Sequence, residues 1–442
     1  MLLAAPLGDV RQMPPRSIPA LFMALCQPTP RVSSNPLSSF TPILPHELWS
    51  EIFQLATLIP DELEISHMFC PSVFGDQSGH RRQLAAWKEV LPLRVAIQSV
   101  SRLWHFIGVE LLYQSFHDDS QRRSLQLLAS TLRVKPSYGV LVKHLTLRLS
   151  MFNTINADAI FILRSCPNVL ILSTKVSTTS IPEMFWDACS LLTSLRLLQV
   201  DVHYITDCPG ALPPPVPVGP FILPNLRHFH LNSRFDRHGI LTLERTLSLP
   251  RLTSLSLDLH AESPVPSLCK DLLRRLTHLK IKGRALLPYL FQAMEFPLLH
   301  IFQFDGCQTP QGTLLSECPN LPIQQIDILI LTLPAFGITH PHILFSRFHE
   351  WWASVHCILT EARDPTLMPK LKRVILKEGS TPRIAPNDLF PSYGDLVSCY
   401  APLADVFESR GVELSMRSRD GNWDWEVDVP IRDFILQTES RF

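Results

Sequence analysis

Histidines spaced two apart are the first residues in this sequence able to do chemistry. His228 and His230 flank a single residue, as do His340 and His342. Residues two apart on a strand share a face, so the first pair can chelate a metal only if a third ligand joins it. A polar strand face is the expected reading. His340 and His342 straddle Pro341 and read as a loop. Asp424, Glu426 and Asp428 alternate and can gather on one face of a strand, where they read as a solvated acidic edge. Cys189 and Cys399 have no basic neighbour that would lower a thiol pKa. The glycine-rich phosphate loops, the nucleophile elbow G-x-S-x-G and the zinc helix H-E-x-x-H are all absent. The expectation is a chain that performs no catalysis of its own and needs neither metal nor cofactor.

Composition narrows the class further. Of 442 residues, 46% are hydrophobic and only 18% charged, which excludes a wholly disordered chain. Lys plus Arg number 40, equal to Asp plus Glu, so no global field recruits nucleic acid or an anionic membrane. Prolines number 39 and glycines 16, so proline marks the element boundaries. The ten cysteines form no C-x-x-C, and there is no N-x-S/T sequon. That pattern suits a reducing compartment, cytoplasmic and/or nuclear. No apolar run reaches the roughly 18 residues of a membrane span.

Several elements must position whatever the chain binds. Residues 1–40 are rich in Pro and Ser and read as a disordered leader; Arg11, Arg16 and Arg31 leave a mitochondrial presequence as the alternative. From Leu44 the chain reads LPHELWSEIFQLATLIP, with Leu48, Ile52 and Leu55 on one helical face. Residues 58–92 read mostly as a loop or insertion. LPLRVAIQSVSRLWHFIGVELLYQSF follows, and Leu93, Ile97, Val100, Trp104, Ile107 and Leu111 form an apolar seam predicting one helix of about five turns.

From residue 139 a repeat appears. GVLVKHLTL, CPNVLILST, LTSLRLLQV, LPNLRHFHL, LPRLTSLSL, LRRLTHLKI, FPLLHIFQF and MPKLKRVIL share an (apolar)-x-x-(apolar)-x-x-(apolar)-x-(apolar) pattern, with Thr174 the one departure. The fourth-place residues are Val142, Val169, Leu195, Leu226, Leu252, Leu276, Leu299 and Leu371. A degenerate copy lies at 318–330, with Ile323, Ile326 and Ile328 in the apolar places. Self-similarity at this period predicts stacked strand-plus-crossover units, an α/β solenoid. DCPGALPPPVPVGPF at 207–221 reads as a stiff loop, with a polyproline ligand as the alternative. Residues 416–442 read as a final strand and cap, with Trp423 and Trp425 over the last core layer.

The period and the L-x-x-L-x-L core resemble leucine-rich repeats. LPHELWSEIF at 44–53 resembles the opening of an F-box, and VSRLW at 100–104 resembles its later signature, with Val100 and Trp104 as anchors. The whole chain resembles the fungal F-box proteins that carry an irregular leucine-rich horseshoe. Two departures are the separation of the F-box halves by residues 58–92 and Ser101-Arg102-Leu103 in place of Cys-[KR]-x. The resemblance implies an F-box domain at 41–117, a solenoid at 118–415 and a cap at 416–442. It implies docking on the Skp adaptor, and through it on a cullin–RING ubiquitin ligase, by Leu44, Pro45, Glu47, Leu48, Ile52, Phe53, Val100 and Trp104. The solenoid would then hold a target protein on its concave strand face. The candidates there are Lys143, His144, Arg148, Arg196, Arg227, His228, His230, His278, Lys280, Lys282, Lys372, Arg373 and Lys377, against the fewer acids Asp201, Asp258 and Asp305. A net basic face suits an acidic or phosphorylated target. Nucleic acid needs stacking aromatics, and Phe229 and Phe302 fall at inward positions. The alternative function is a binding scaffold with no ligase association.

Overall fold

The computed structural model describes residues 44–57, 77–118, 122–149, 153–176, 183–202, 221–233, 247–259, 274–282, 296–305, 322–332, 357–377, 403–419, 426–431 and 433. The leader, the proline-rich loop up to residue 220, His340, His342, Cys399, Trp423, Asp424 and Trp425 lie outside them. Two compact units divide the chain, Met1–Pro45 and His46–Phe442. In the first, Leu44 and Pro45 are described and both are exposed.

The second unit is α/β. It opens with α1 (His46–Ala56), α2 (Gln77–Val100) and α3 (Arg102–Tyr113). The expected single helix through Val100 and Trp104 is broken at Ser101. Its backbone is extended (φ −156°, ψ 167°), and its hydroxyl accepts a hydrogen bond from the Trp104 N–H at 3.2 Å. Serine at an N-cap satisfies one of the orphan N–H groups of the helix it opens. A helix start is thereby set inside an unbroken apolar seam. Val100 turns outward, while Ile97, Ile107 and Leu111 stay in a small core with Phe53. The expected loop at 58–92 is corrected as well: the chain is helical from Gln77, and residues 58–76 lie outside the described residues. Trp87 anchors that helix. It is buried, its indole N–H donates to the Ser115 carbonyl at 3.2 Å, and its ring lies 5.4 Å from that of His117.

The strands that follow are β1 (Ser115–His117), β2 (His144–Leu149), β3 (Ile171–Val176), β4 (Leu197–Val202), β5 (Phe221–Ile222), β6 (His228–Ser233) and β7 (Leu247–Ser248). They continue with β8 (Ser254–Leu259), β9 (His278–Lys282), β10 (Ile301–Asp305), β11 (Ile328–Thr332), β12 (Arg373–Lys377), β13 (Glu413–Arg419) and β14 (Glu426–Pro430). Helices α4 (Arg122–Val134), α5 (Asn153–Ser165) and α6 (Glu183–Ser190) lie between the early strands; residues 357–363 and 403–409 form α7 and α8. Apart from the separate β5–β7 pair, the strands lie in one twelve-stranded sheet in chain order. Eleven are parallel, and β14 closes the edge antiparallel to β13.

Side-chain alternation explains the repeat. On one face Leu145, Leu172, Leu198, Phe229, Leu255, Leu279, Phe302, Leu329, Val374 and Leu414 stand in register across neighbouring strands. They share one apolar core with α4 to α8, and all eight fourth-place residues are buried in it. Thr174 takes a core place beside Leu147 and Val200. The 318–330 copy forms β11, but its strand anchors are Leu329 and Leu331, with Ile323 and Ile326 before them. Ile328, expected in that set, points the other way, because a one-residue shift in a strand exchanges its faces.

Successive turns are also tied together by side chains. Asn168 Nδ2 donates to the Val140 carbonyl at 2.9 Å and Asn225 Nδ2 to the Thr193 carbonyl at 2.7 Å. Arg251 Nη1 donates to Asn225 Oδ1 at 2.7 Å, and Arg275 Nη1 to the Pro250 carbonyl. These residues hold the third place of their repeat copies, just before the buried fourth-place residue, so a variable letter of the repeat stitches each turn to the one before.

Candidate functional site

Helix α1 divides its apolar residues between two faces. Trp49 and Phe53 turn inward, where the Phe53 ring meets that of Trp104 edge-on at 4.7 Å and Trp49 meets Trp104 at 4.9 Å. Ile97, Ile107 and Leu111 complete this core. The close approach of α2 and α3 depends on Gly108, where a Cβ would lie 2.9 Å from Gln98 Cγ; Gln98 in turn donates to the Gly108 carbonyl at 2.9 Å. On its other face α1 exposes Leu48 (43%), Ile52 (40%) and Leu55 (68%). Phe106 on α3 is 73% exposed, and its ring lies 5.9 Å from that of His46. Val95, Val100 and Leu103 are exposed too.

The candidate docking residues therefore separate. Leu44, Pro45, Glu47, Leu48, Ile52 and Val100 are exposed, Trp104 is half-buried, and Phe53 is 1% exposed. Phe53 is corrected from a contact residue to a core residue. One residue beyond Ile52 is a turn of about 100° around the helix, which carries Phe53 onto Trp104. Leu55, Leu103 and Phe106 were not among the candidates. The Leu48–Ile52–Leu55 spacing signals the first; the other two each lie one residue off the Trp104–Ile107–Leu111 seam, about 100° around the helix, which is the signal that could have found them.

The polar strand face is less open than expected. Strands lie about 4.8 Å apart, so its side chains stand flank to flank. His230, His278 and Lys280 are buried, which corrects their reading as exposed contacts. His144 is buried as well. Arg148, His228 and Arg373 are half-buried, Arg373 pairing with Glu413 at 2.8 Å. Lys143 is half-buried and 3.9 Å from Glu110. The side chains of Lys282, Lys377, Asp258 and Asp305 lie outside the described residues. Arg196, Arg227 and Lys372 are exposed, and all three stand in the turn just before a strand.

Burial sets the chemistry of this face. His228 and His278 are each lowered to about 3, first by burial; His278 and Arg227 add to the effect on His228, and Lys280 to that on His278. His230 Nδ1 lies 2.7 Å from Ser256 Oγ, and its Nε2 lies 3.8 Å from Asp201 Oδ1. Asp, His and Ser are the residue types of a nucleophilic relay. Here 3.8 Å exceeds hydrogen-bond reach, and Ser256 is fully buried, so its hydroxyl meets no substrate. Burial pushes the Cys166 thiol up to about 12 and Cys189 further. Among the described residues no three His, Cys, Asp or Glu side chains gather as metal ligands, and no helix is long and apolar enough to cross a membrane. A cleft of about 400 Å³ between α3 and α4 is lined by Gln98, His105, Tyr113, Thr131, Lys135 and Tyr138. Lys135 Nζ donates to the Tyr138 hydroxyl at 3.1 Å, and the two tyrosine rings stand 4.7 Å apart.

No family model matches the chain, and no curated protein matches its sequence.

Proposed function

We propose that this chain is the substrate-recognition subunit of a Skp–cullin–F-box ubiquitin ligase. In this reading α1 to α3 are an F-box with an insertion, the sheet and its crossovers are an irregular leucine-rich solenoid, and the protein works in the cytoplasm and/or nucleus. The observation that carries the reading is the outward stripe Leu48, Ile52 and Leu55 on a short helix whose inner face is already filled by Phe53 and Trp104. Aliphatic side chains in such a stripe remain in water unless a partner covers them, and helix-in-groove docking uses this spacing. The chain's contribution to ubiquitin transfer is then proximity, since it brings a bound target to a catalytic subunit.

The test is capture of purified protein by the Skp adaptor, comparing wild type with Leu48→Asp/Ile52→Asp. Two charges in an apolar interface remove most of its burial energy. Capture by wild type and its loss in the folded double variant is the expected result. Absence of capture by folded wild type would leave a binding scaffold without ligase association.

A further inference from the structure

The turns that lead into β4, β6, β8 and β9 place Arg196, Arg227, Arg251, Arg274 and Arg275 along one edge of the sheet, and all five are exposed. The four strands are consecutive neighbours about 4.8 Å apart, so the arginines span roughly 14 Å. That is less than two Debye lengths of about 8 Å in physiological salt, so their fields add. The turns 191–196, 222–227, 249–253 and 274–277 contain no Asp or Glu. Among the described residues none of the five arginines forms an ion pair.

The other end of the same edge is built differently. There His300 and Lys372 both face Asp327, at 3.7 and 3.8 Å, and Arg373 faces Glu413 at 2.8 Å. Carboxylates stand among the cations at β10 to β13, and none stands in the turns into β4 to β9, although the strands pair in the same parallel way. The interior of the polar face does not share the excess. One register row reads Arg148, Lys175, Asp201, Asn232, Asp258, Lys282 and Asp305, with both signs present. The basic excess sits on the edge and not on the face.

Two of the arginines are also pre-positioned. Arg251 is held by Asn225, which is itself held by Thr193, and Arg275 is held by the Pro250 carbonyl. A guanidinium has five N–H donors, so each keeps donors for an outside acceptor. Fixing them beforehand lowers the entropy lost on binding. Leu191 and Ile222, in the same turns, are exposed aliphatic neighbours, and these turns hold no aromatic on which a base could stack.

We propose that this edge binds an acidic segment of a partner protein, four to five extended residues long, whose carboxylates or phosphates lie on the arginines and whose apolar side chain meets Leu191 and Ile222. The inference rests on the target-holding half of the proposed function and is independent of the adaptor half. Its test is fluorescence anisotropy with three labelled peptides, one of alternating Glu and Leu, its phosphoserine counterpart and its Gln counterpart, and with a single-stranded oligonucleotide. Wild type should bind an acidic peptide and not the Gln peptide, and the stronger of the first two arms identifies carboxylate or phosphate as the natural source. Arg196→Glu/Arg227→Glu should bind at least about tenfold more weakly, while Arg363→Glu, a change of an exposed cation on α7, should bind as wild type does. Both arginines are exposed and, among the described residues, neither side chain holds a neighbour, so an unchanged thermal transition separates lost binding from lost fold; Arg196→Gln/Arg227→Gln serves if the charge reversal unfolds the chain. The proposal is overturned if neither acidic peptide binds, if the double variant binds equally, if Arg363→Glu loses as much, or if the oligonucleotide is preferred. Adaptor capture measured on the same preparations shows whether any such failure extends to the ligase reading.

Discussion

The Thr57 carbonyl, just past the C-terminal end of α1, accepts a hydrogen bond at 3.1 Å from the guanidinium of Arg94 on α2. Both residues are buried. The Thr57 hydroxyl also donates to the Phe53 carbonyl at 2.7 Å, so the last turn of α1 is tied down on two sides. A cation at a helix C-terminus is favoured by the aligned peptide dipoles. Arg94→Ala leaves a buried carbonyl without this donor and should cost about 2–3 kcal/mol. Chemical denaturation measures it, and a variant as stable as wild type would remove Arg94 from this role.

Two glycines should respond unequally to the same change. At Gly139 a Cβ would lie 1.9 Å from the carbonyl oxygen of Ser165, the last residue of α5, a backbone atom that cannot step aside. Gly139→Ala should therefore cost more than about 3 kcal/mol or abolish soluble expression. Gly411 has a φ of 69° and open space around it. Its N–H donates to the Glu408 carbonyl at 2.8 Å while the Val412 N–H donates to Phe407 at 2.9 Å, a left-handed cap on α8. Gly411→Ala carries only the strain of that φ, about 1 kcal/mol. Thermal unfolding of the two variants distinguishes a steric limit from a conformational one.

Thr174 is a hydroxyl among leucines. Its Oγ1 is buried with no hydrogen-bond partner among the described residues. Thr174→Val keeps the shape and removes a desolvated polar group, so it should stabilise the fold by up to about 1 kcal/mol. A lowered melting temperature would show that the hydroxyl has a use in the native state.

Acid should loosen the sheet before it reaches the carboxylates. His228 and His278 sit at about 3 in the fold, against roughly 6.5 in an unfolded chain. Between those values the unfolded state holds protons that the native state refuses, so stability is full above about pH 6.5 and falls as pH drops toward 3. Each group contributes at most about 1.4 kcal/mol per pH unit in that window. Unfolding midpoints at pH 7 and pH 5 should differ, and His278→Gln should flatten the difference. An equal pH dependence in that variant would assign the effect elsewhere.

What the sequence disclosed follows from which residues have only one place to go. Val142, Leu226 and Leu276 announce the core because their spacing repeats and nothing polar competes for the position. Ser101 hides a helix boundary, since its neighbours Val100 and Trp104 continue the apolar seam on either side and only a backbone angle separates them. Phe53 and Leu55 are equally apolar, and the neighbouring helix alone decides which one is covered. The arginine edge was half visible: Arg196 and Arg227 stood out as basic, while Arg251, Arg274 and Arg275 join them only when the strands are laid side by side.

Among the described residues each strand of the main sheet lies beside the main-sheet strand made just before it, β14 included. A growing polypeptide emerging from the ribosome can therefore add one layer at a time, with the helical N-terminal segment as its starting surface. Its exposed margin at any moment is a single parallel strand, the feature most prone to pair with another nascent copy. In the finished sheet the edge passes to the antiparallel β14, which ends on Pro430, a residue with no N–H to offer a neighbour, and a chain halted before residue 426 would leave β13 as its edge.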